Sequence, residues 1–487
     1  MRTGPGRAEP SARPALLSIE RLWALIALSI PVIGGLALTM STVDLTYHLR
    51  LGEQILHGTI PSADTFTFSV AGASWLDQQW LAQAIVALVH RAGSWNGLLL
   101  LKAVLIGITF AFVFAACRAL GASARAAAGL TTASYLLGSQ NLGMRPQLFA
   151  VPLFAATLWV SATRREHPRR QWAIPILVAL WANVHGSFVL GPALMALDWL
   201  EDRRDRSPAA RRTALIAVLS LLATLAGPFG WRVWAYAVEI GTNPTITRFA
   251  SEWEATTIRT LTGAGLFASV AFVGWILARR PEPVPWPTLL RLLFFLVIAL
   301  PAIRGVIWWA LAAPVTVAGL LSPRAETAEA TEADRRGSPV MNRIMALALV
   351  AAVVVALPWW RPARPGRVSP LLEDAPEGLA VATSRVSEAG DRLWVDQVWA
   401  SWFEFRLPDR AVFVDSRLEL YPSRVWGDYL DVANGREGWQ SILDRWEVDV
   451  VVLSPGQSGE LLERIVRDPE WERTYQDEDG SVFIRSV

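Results

Sequence analysis

Apolar and polar positions along this chain fall into long alternating blocks. Apolar runs near 22–40, 97–117, 126–141, 147–163, 172–183, 186–200, 212–228, 261–278, 288–303, 305–321 and 341–359 predict helices. Most approach the roughly 20 residues needed to cross a bilayer. Charge is confined to the connections. Arg118 and Arg125, the run 164–170, the run 201–212, Arg279-Arg280 and the stretch 323–336 form five basic or mixed clusters. The positive-inside rule places all five in the cytoplasm.

That placement fixes two further features. The stretch 172–200 is too long for one crossing, yet both its ends must be cytoplasmic. It therefore predicts two short helices that meet near Asn183-Val184-His185-Gly186 on the outer side. The amphipathic segment 80–91 then lies on the outer surface as a juxtamembrane helix. The result is eleven crossings with the N-terminus inside and the C-terminus outside. Letting 80–91 cross is the alternative, but it carries the basic run 164–170 outside.

After Trp360 the texture changes. Residues 361–370 are rich in Pro and Arg, and 371–487 alternate as a soluble α/β domain. Strands are expected at 393–395, 411–414, 448–453 and 481–484, and helices at 398–405, 439–446 and 459–468. The chain divides into a cytoplasmic tail (1–21), a membrane domain (22–359) with an outer loop (41–96), a cytoplasmic linker (322–340) and an outer α/β domain (360–487).

Composition agrees with a polytopic membrane protein. Of 487 residues, 53% are hydrophobic and only 18% charged. A formal net charge of +2 gives no electrostatic reason for a nucleic-acid partner. The 24 Trp residues suit membrane interfaces. Cys117 is the single cysteine, so no intramolecular disulfide forms.

The outer loop holds the densest polar chemistry. Asp44, His48 and Arg50 follow the first apolar run, where charge is costly unless water, a partner or a substrate compensates it. Asp44 is the candidate general base; pairing with Arg50 or capping the next helix is its structural alternative. His48 lies at i+4 from Asp44 and shares its face on a helix, which makes it a catalytic candidate that hydrogen-bonds Asp44 or ligates a metal with it; a satisfied polar contact is its structural alternative. Asp64 reads as a turn residue, and Asp77 with Trp80 as a helix start. Arg145, next to Gln147, is a candidate phosphate clamp, as is Arg304; snorkelling to headgroups is the bland reading. Asn183 and His185 sit at a helix break of the kind that lines cavities, with hydrogen bonding between helices as the alternative. Glu252 and Glu254 offer a second carboxylate. Asp415 and Arg417 stand at the end of a strand, as a site or as a structural ion pair.

Several of these runs are familiar together. Asp44…His48-Leu49-Arg50-Leu51-Gly52…Gly58…Pro61…Asp64 is one. Arg145-Pro146-Gln147-Leu148, Trp181-Ala182-Asn183-Val184-His185-Gly186 and Phe413-Val414-Asp415-Ser416-Arg417 are the others. They resemble a family of uncharacterised bacterial polytopic proteins similar to the GT-C superfamily of glycosyltransferases. The resemblance implies a GT-C-like bundle of about eleven transmembrane helices with a C-terminal soluble α/β domain. It implies a catalytic carboxylate in the first outer loop, matching Asp44. It also implies a polyprenyl-phosphate-linked sugar as donor and work outside the bacterial cytoplasmic membrane. Many members carry a carboxylate dyad, whereas Val43 and Leu45 flank Asp44 here. A divalent cation stays open on that account, with Asp64, Asp77 or Glu252 as second carboxylate.

The expected activity is inverting sugar transfer to an envelope glycan, lipid or protein. Asp44 would act as base, Arg145, Arg304 and His185 at the phosphate, and Arg50, Gln147, Asn183, Trp80, Asp64 and Glu252 around the substrate. A transporter or flippase of lipid-linked glycans, or an envelope-assembly scaffold, is the alternative of a different class.

Overall fold

The computed structural model describes residues 18–321, 338–363 and 366–486. The tail at 1–17 and the linker at 322–337, expected to be cytoplasmic, lie outside them. Helix α1 (Ile19–Ala37) starts at Ser18, whose hydroxyl accepts from the Arg21 amide. A two-residue strand β1 (Met40–Ser41) follows, and then α2 (Thr42–Leu56). Ser41 caps α2, and one face of that helix buries Leu45, Leu49 and Gly52.

Next comes α3 (Trp80–Ala119), broken at Ser94, whose φ of 51° and ψ of −150° are not helical. The break divides an amphipathic first part from an apolar second part, where the sequence had divided them. The remaining bundle is α4 (Ala124–Gly138), α5 (Gln147–Ala162), α6 (Ile174–Ala182), α7 (Leu190–Arg204), α8 (Ala210–Ala223), α9 (Arg232–Thr242), α10 (Pro244–Phe249), α11 (Leu261–Ala278), α12 (Trp286–Ala299), α13 (Val306–Ala318) and α14 (Pro339–Ala356). Four of these, α1, α3, α11 and α14, are long and apolar enough to cross a membrane. At nine residues α6 is only about 14 Å long, about half a hydrocarbon core.

Helix α5 links two polar ends of the bundle, about 24 Å apart for its 16 residues. At its C-terminal end Arg164, Arg165 and Arg291 meet Asp198, Glu201 and Asp202. Thr213 donates to Asp202 at 2.8 Å, so this one network ties α5, α7, α8 and α12 together. The N-terminal end of α5 faces a cavity.

The C-terminal domain sits over that cavity end. Strand β2 (Leu372–Glu373) pairs in parallel with β1. Then come α15 (Glu377–Val386), β3 (Arg392–Val395), α16 (Gln397–Arg406), β4 (Ala411–Val412), α17 (Ser423–Ala433), α18 (Trp439–Arg445), β5 (Val450–Leu453), α19 (Gly459–Ile465), β6 (Trp471–Gln476) and β7 (Ser481–Arg485). The sheet order is β4-β3-β5-β7-β6, with β4, β3 and β5 parallel and the last two antiparallel to their neighbours. Two differences from the sequence reading stand out. Strand β4 stops at Val412, although Phe413 N still donates to the Leu393 carbonyl of β3 at 2.9 Å and both Phe413 and Val414 are buried in the domain core. Strand β6 was not expected: its exposed Glu472, Arg473 and Thr474 give it the polar composition of a sheet edge.

The outer loop and the domain are built as one piece. The Phe66 carbonyl accepts from Val412 N at 3.2 Å, and the Val412 carbonyl from Phe68 N at 3.0 Å, which covers the β4 edge. Arg50 donates to the carbonyls of Glu404 (3.1 Å) and Pro408 (2.9 Å), which fixes α2 against α16. On its other side α2 packs on α3 through Gly52. A Cβ there would collide with the Gln83 carbonyl and with Ala87. Gly52→Ala is therefore expected to destabilise by about 1–3 kcal/mol. Thermal unfolding in detergent checks this; an unchanged midpoint would mean the contact is slack.

Candidate active site

The polar residues that line the cavity come from helix breaks. Asp44 lies in the first turn of α2, Arg145 before α5, His185 between α6 and α7, Glu252 after α10, and Arg304 between α12 and α13. Unwound backbone at a bundle end is stable only where it lines a cavity or meets other protein. These breaks do both. The cavity holds about 690 Å³ and is also bordered by Tyr47, Gln78, Tyr236, Trp253, Ser416 and Glu419. That is the size of a site for a small organic ligand.

Two guanidiniums organise its charges. Arg145 lies 3.7 Å from Asp44 and pairs closely with Glu252. Arg304 pairs with the same Glu252 at 3.1 Å. It also stands 4.8 Å from the Trp253 ring and within 3.3 Å of His185 Nε2. Arg304 can only donate towards Nε2, while Nδ1 accepts from the Ser187 backbone N–H at 3.1 Å and lies 2.8 Å from Ser187 Oγ. Gln147 donates to the Arg304 carbonyl at 3.4 Å.

The carboxylates differ in character. Burial pushes the Asp44 carboxyl above its ordinary range, against the pull of Arg145. Burial also acts to raise Glu252, but Arg304 and Arg145 outweigh it and hold that group below its usual range. Burial raises Glu419, whose Oε1 accepts from Trp75 Nε1 and from the Tyr236 hydroxyl, both at 3.3 Å.

Some candidates named from the sequence lie elsewhere. His48 borders the cavity, but its Nδ1 contacts Gln83 at 3.1 Å, not Asp44. Burial, then Arg145, lowers its pKa to about 3, so the ring is neutral. Asp44 pairs with Arg145, not with Arg50, and Ser41, not Asp44, caps α2. Arg50 stacks on Phe66 at 4.1 Å, away from the cavity. Trp80 donates to Asn183 Oδ1 at 2.9 Å, and Asn183 donates to the carbonyls of Ala179 and Ala226. This pair fastens α3 to the α6–α7 break and does not line the cavity. Asp64, Asp415 and Arg417 form a buried ion cluster between loop and domain. Glu419, Tyr236 and Trp253 were not singled out as site residues. Each is distant in sequence from the others, and none carries a local motif.

Among the described residues no group of three or more His, Cys, Asp or Glu side chains converges on a metal position. The carboxylates of Asp44 and Glu252 both face Arg145 instead, a donor set that does not fit a cation cage.

No protein-family model matches the chain, and no curated protein matches it in sequence. Solved structures do match. The chain is similar to the archaeal oligosaccharyltransferase AglB from Archaeoglobus fulgidus, in complex with an inhibitory peptide and a dolichol-phosphate. The TM-score is 0.59 at 12% identity, over 96% of this chain and 74% of that one. It is similar to the arabinofuranosyltransferase AftD from Mycobacteria, with a TM-score of 0.56 at 17% identity, over 95% of this chain and 41% of that one. It is similar to ArnT from Cupriavidus metallidurans bound to undecaprenyl phosphate, with a TM-score of 0.51 at 13% identity, over 95% and 97% of the two chains. The chain therefore has a GT-C-like fold.

Proposed function

We propose that this protein is an integral membrane glycosyltransferase of GT-C type. It moves a sugar from a polyprenyl-phosphate donor to an acceptor outside the cytoplasmic membrane. The observation that carries this reading is the cavity at the bundle end, where Asp44 faces two guanidiniums that share a single carboxylate, Glu252. Glu252 neutralises only one of them, and Asp44 is 3.7 Å from Arg145. A lipid phosphate entering between Arg145 and Arg304 meets preorganised donors.

The reaction follows from that placement. Asp44 takes the proton from an acceptor hydroxyl. The freed oxygen attacks the anomeric carbon, and its lone pair forms the new C–O bond. The bond from that carbon to the phosphate oxygen breaks, and its electrons leave with the lipid phosphate. Arg145 and Arg304 stabilise the charge that grows there. A single displacement inverts the anomeric centre. In this reading the bundle makes eleven crossings, the cavity opens outward, and the basic α5–α7–α8–α12 end faces the cytoplasm.

The test is binding of undecaprenyl phosphate to the purified full chain. Arg304→Ala is expected to weaken it about 10- to 100-fold, the effect of losing a charged hydrogen bond. Equal affinity in wild type and variant would remove the phosphate site from this cavity.

A further inference from the structure

The cavity carries one polar group that the transfer reaction leaves without a role. Gln78 precedes α3, borders the cavity and is 1% exposed. Its side-chain nitrogen donates to the Ala182 carbonyl at 2.8 Å, at the end of α6. That bond fixes which way the amide faces, since a flipped amide would set two oxygens against each other. The side-chain oxygen, Oε1, has no hydrogen-bond partner. A buried acceptor left unpaired costs free energy and calls for a donor.

The surroundings say where that donor belongs. A Cβ built on Gly186 would lie 3.6 Å from Gln78 Oε1 and near no other atom. Glycine at 186 puts no side chain against the oxygen, which is itself almost wholly buried beside the cavity. The preceding residue, His185, touches Arg304. One wall therefore runs from the phosphate clamp at Arg304, through His185 and Gly186, to an acceptor at Gln78. A fully ionised phosphate offers no donor to an amide oxygen. A sugar joined to that phosphate offers hydroxyls.

We infer that Gln78 Oε1 accepts a hydrogen bond from a hydroxyl of the donor sugar, which makes Gln78 a residue that selects sugar-bearing lipid over the spent carrier. This inference rests on the donor class proposed above. It predicts that the cavity tells a glycosylated polyprenyl phosphate from a bare one at a single identifiable position.

The experiment uses purified full-length protein and five probes: undecaprenyl phosphate, and undecaprenyl phosphate carrying glucose, mannose, galactose or arabinofuranose. At least one sugar-bearing lipid is expected to bind wild type about tenfold tighter than the bare lipid. Gln78→Met, similar in shape but without the amide, should erase that excess. Gly186→Ala, which keeps Gln78 and sets a methyl 3.6 Å from its oxygen, should reduce it too. Bare undecaprenyl phosphate should bind all three proteins within about twofold. The inference is overturned if no sugar-bearing lipid exceeds the bare one, or if Gln78→Met keeps the excess. It is equally overturned if bare-lipid affinity falls as far as the rest, since Gln78 would then merely hold the wall in shape. Failure of the donor class itself reads differently: bare undecaprenyl phosphate would not bind wild type at all.

Discussion

Replacing Asp44 with asparagine is expected to lower the rate of sugar transfer by about 10²- to 10⁴-fold, the usual contribution of a positioned general base. The geometry decides which carboxylate fills that role. Glu252 is held by two guanidiniums below its usual range and is a poor proton acceptor. Glu419 has one oxygen committed to Trp75 and Tyr236. Asp44 is the least constrained: its nearest cation is 3.7 Å away, and burial raises its affinity for a proton. A base with a raised pKa works only above that pKa. Activity should therefore fall on the acid side, with the limb at a higher pH than an ordinary carboxylate would give. Asparagine keeps the shape and loses the proton acceptor, so lipid binding should survive while turnover collapses. Transfer within tenfold of wild type, measured on protein with an unchanged thermal midpoint, would rule Asp44 out as base and pass that role to another carboxylate of the cavity.

The sequence revealed the candidates but not their partners. Asp44, Arg145, His185 and Arg304 each stood out as a polar residue beside an apolar run, and Glu252 as a carboxylate of the outer loop 229–260. A polar group at that depth is costly, and the cost is visible in one dimension. What brings the five together is the three-dimensional order of helix breaks, which no local pattern encodes. The same limit explains the displaced candidates. Asp64 looked like a turn residue and does accept from the Phe66 and Thr67 amides, yet its oxygen also meets Arg417, 353 residues away. His48 shares a helical face with Asp44 by spacing, but Gln83 on α3 reaches its ring. Trp80 and Asn183, read as separate substrate contacts, hydrogen-bond each other. Helix boundaries fared better, because apolar length and capping are local. Ser18, Ser123, Thr260 and Ser338 each cap a helix close to where the apolar run began.

The largest stability effect should come from Arg417. Its guanidinium is buried and pairs with Asp415 at 2.5 Å and Asp64 at 2.6 Å. The rings of Phe66 and Trp75 lie 4.9 and 5.0 Å from it. Burial alone would raise Asp415, but Arg417 outweighs it and holds that carboxyl below its usual range. Arg417→Met keeps the volume and leaves two buried carboxylates without a counter-charge. Breaking a buried pair from one side costs about 3–5 kcal/mol, a large share of a typical 5–15 kcal/mol. Because Asp64 belongs to the outer loop and Asp415 to the α/β domain, the loss should also loosen the loop that carries Asp44. The pH dependence follows from the sign of the Asp415 shift. A depressed carboxyl contributes stability at neutral pH and loses it as pH falls through its lowered pKa, so wild type should soften only in strong acid. Arg417→Met should invert this: its unpaired carboxylates relax on protonation, and its deficit should shrink as pH falls. Asp415→Asn added to Arg417→Met should recover part of the loss at neutral pH by removing one stranded charge. Thermal unfolding of the single and double variants from neutral to acid pH reads all of this. An Arg417→Met protein within about 1 kcal/mol of wild type would show that water or a rearranged loop already compensates the cluster.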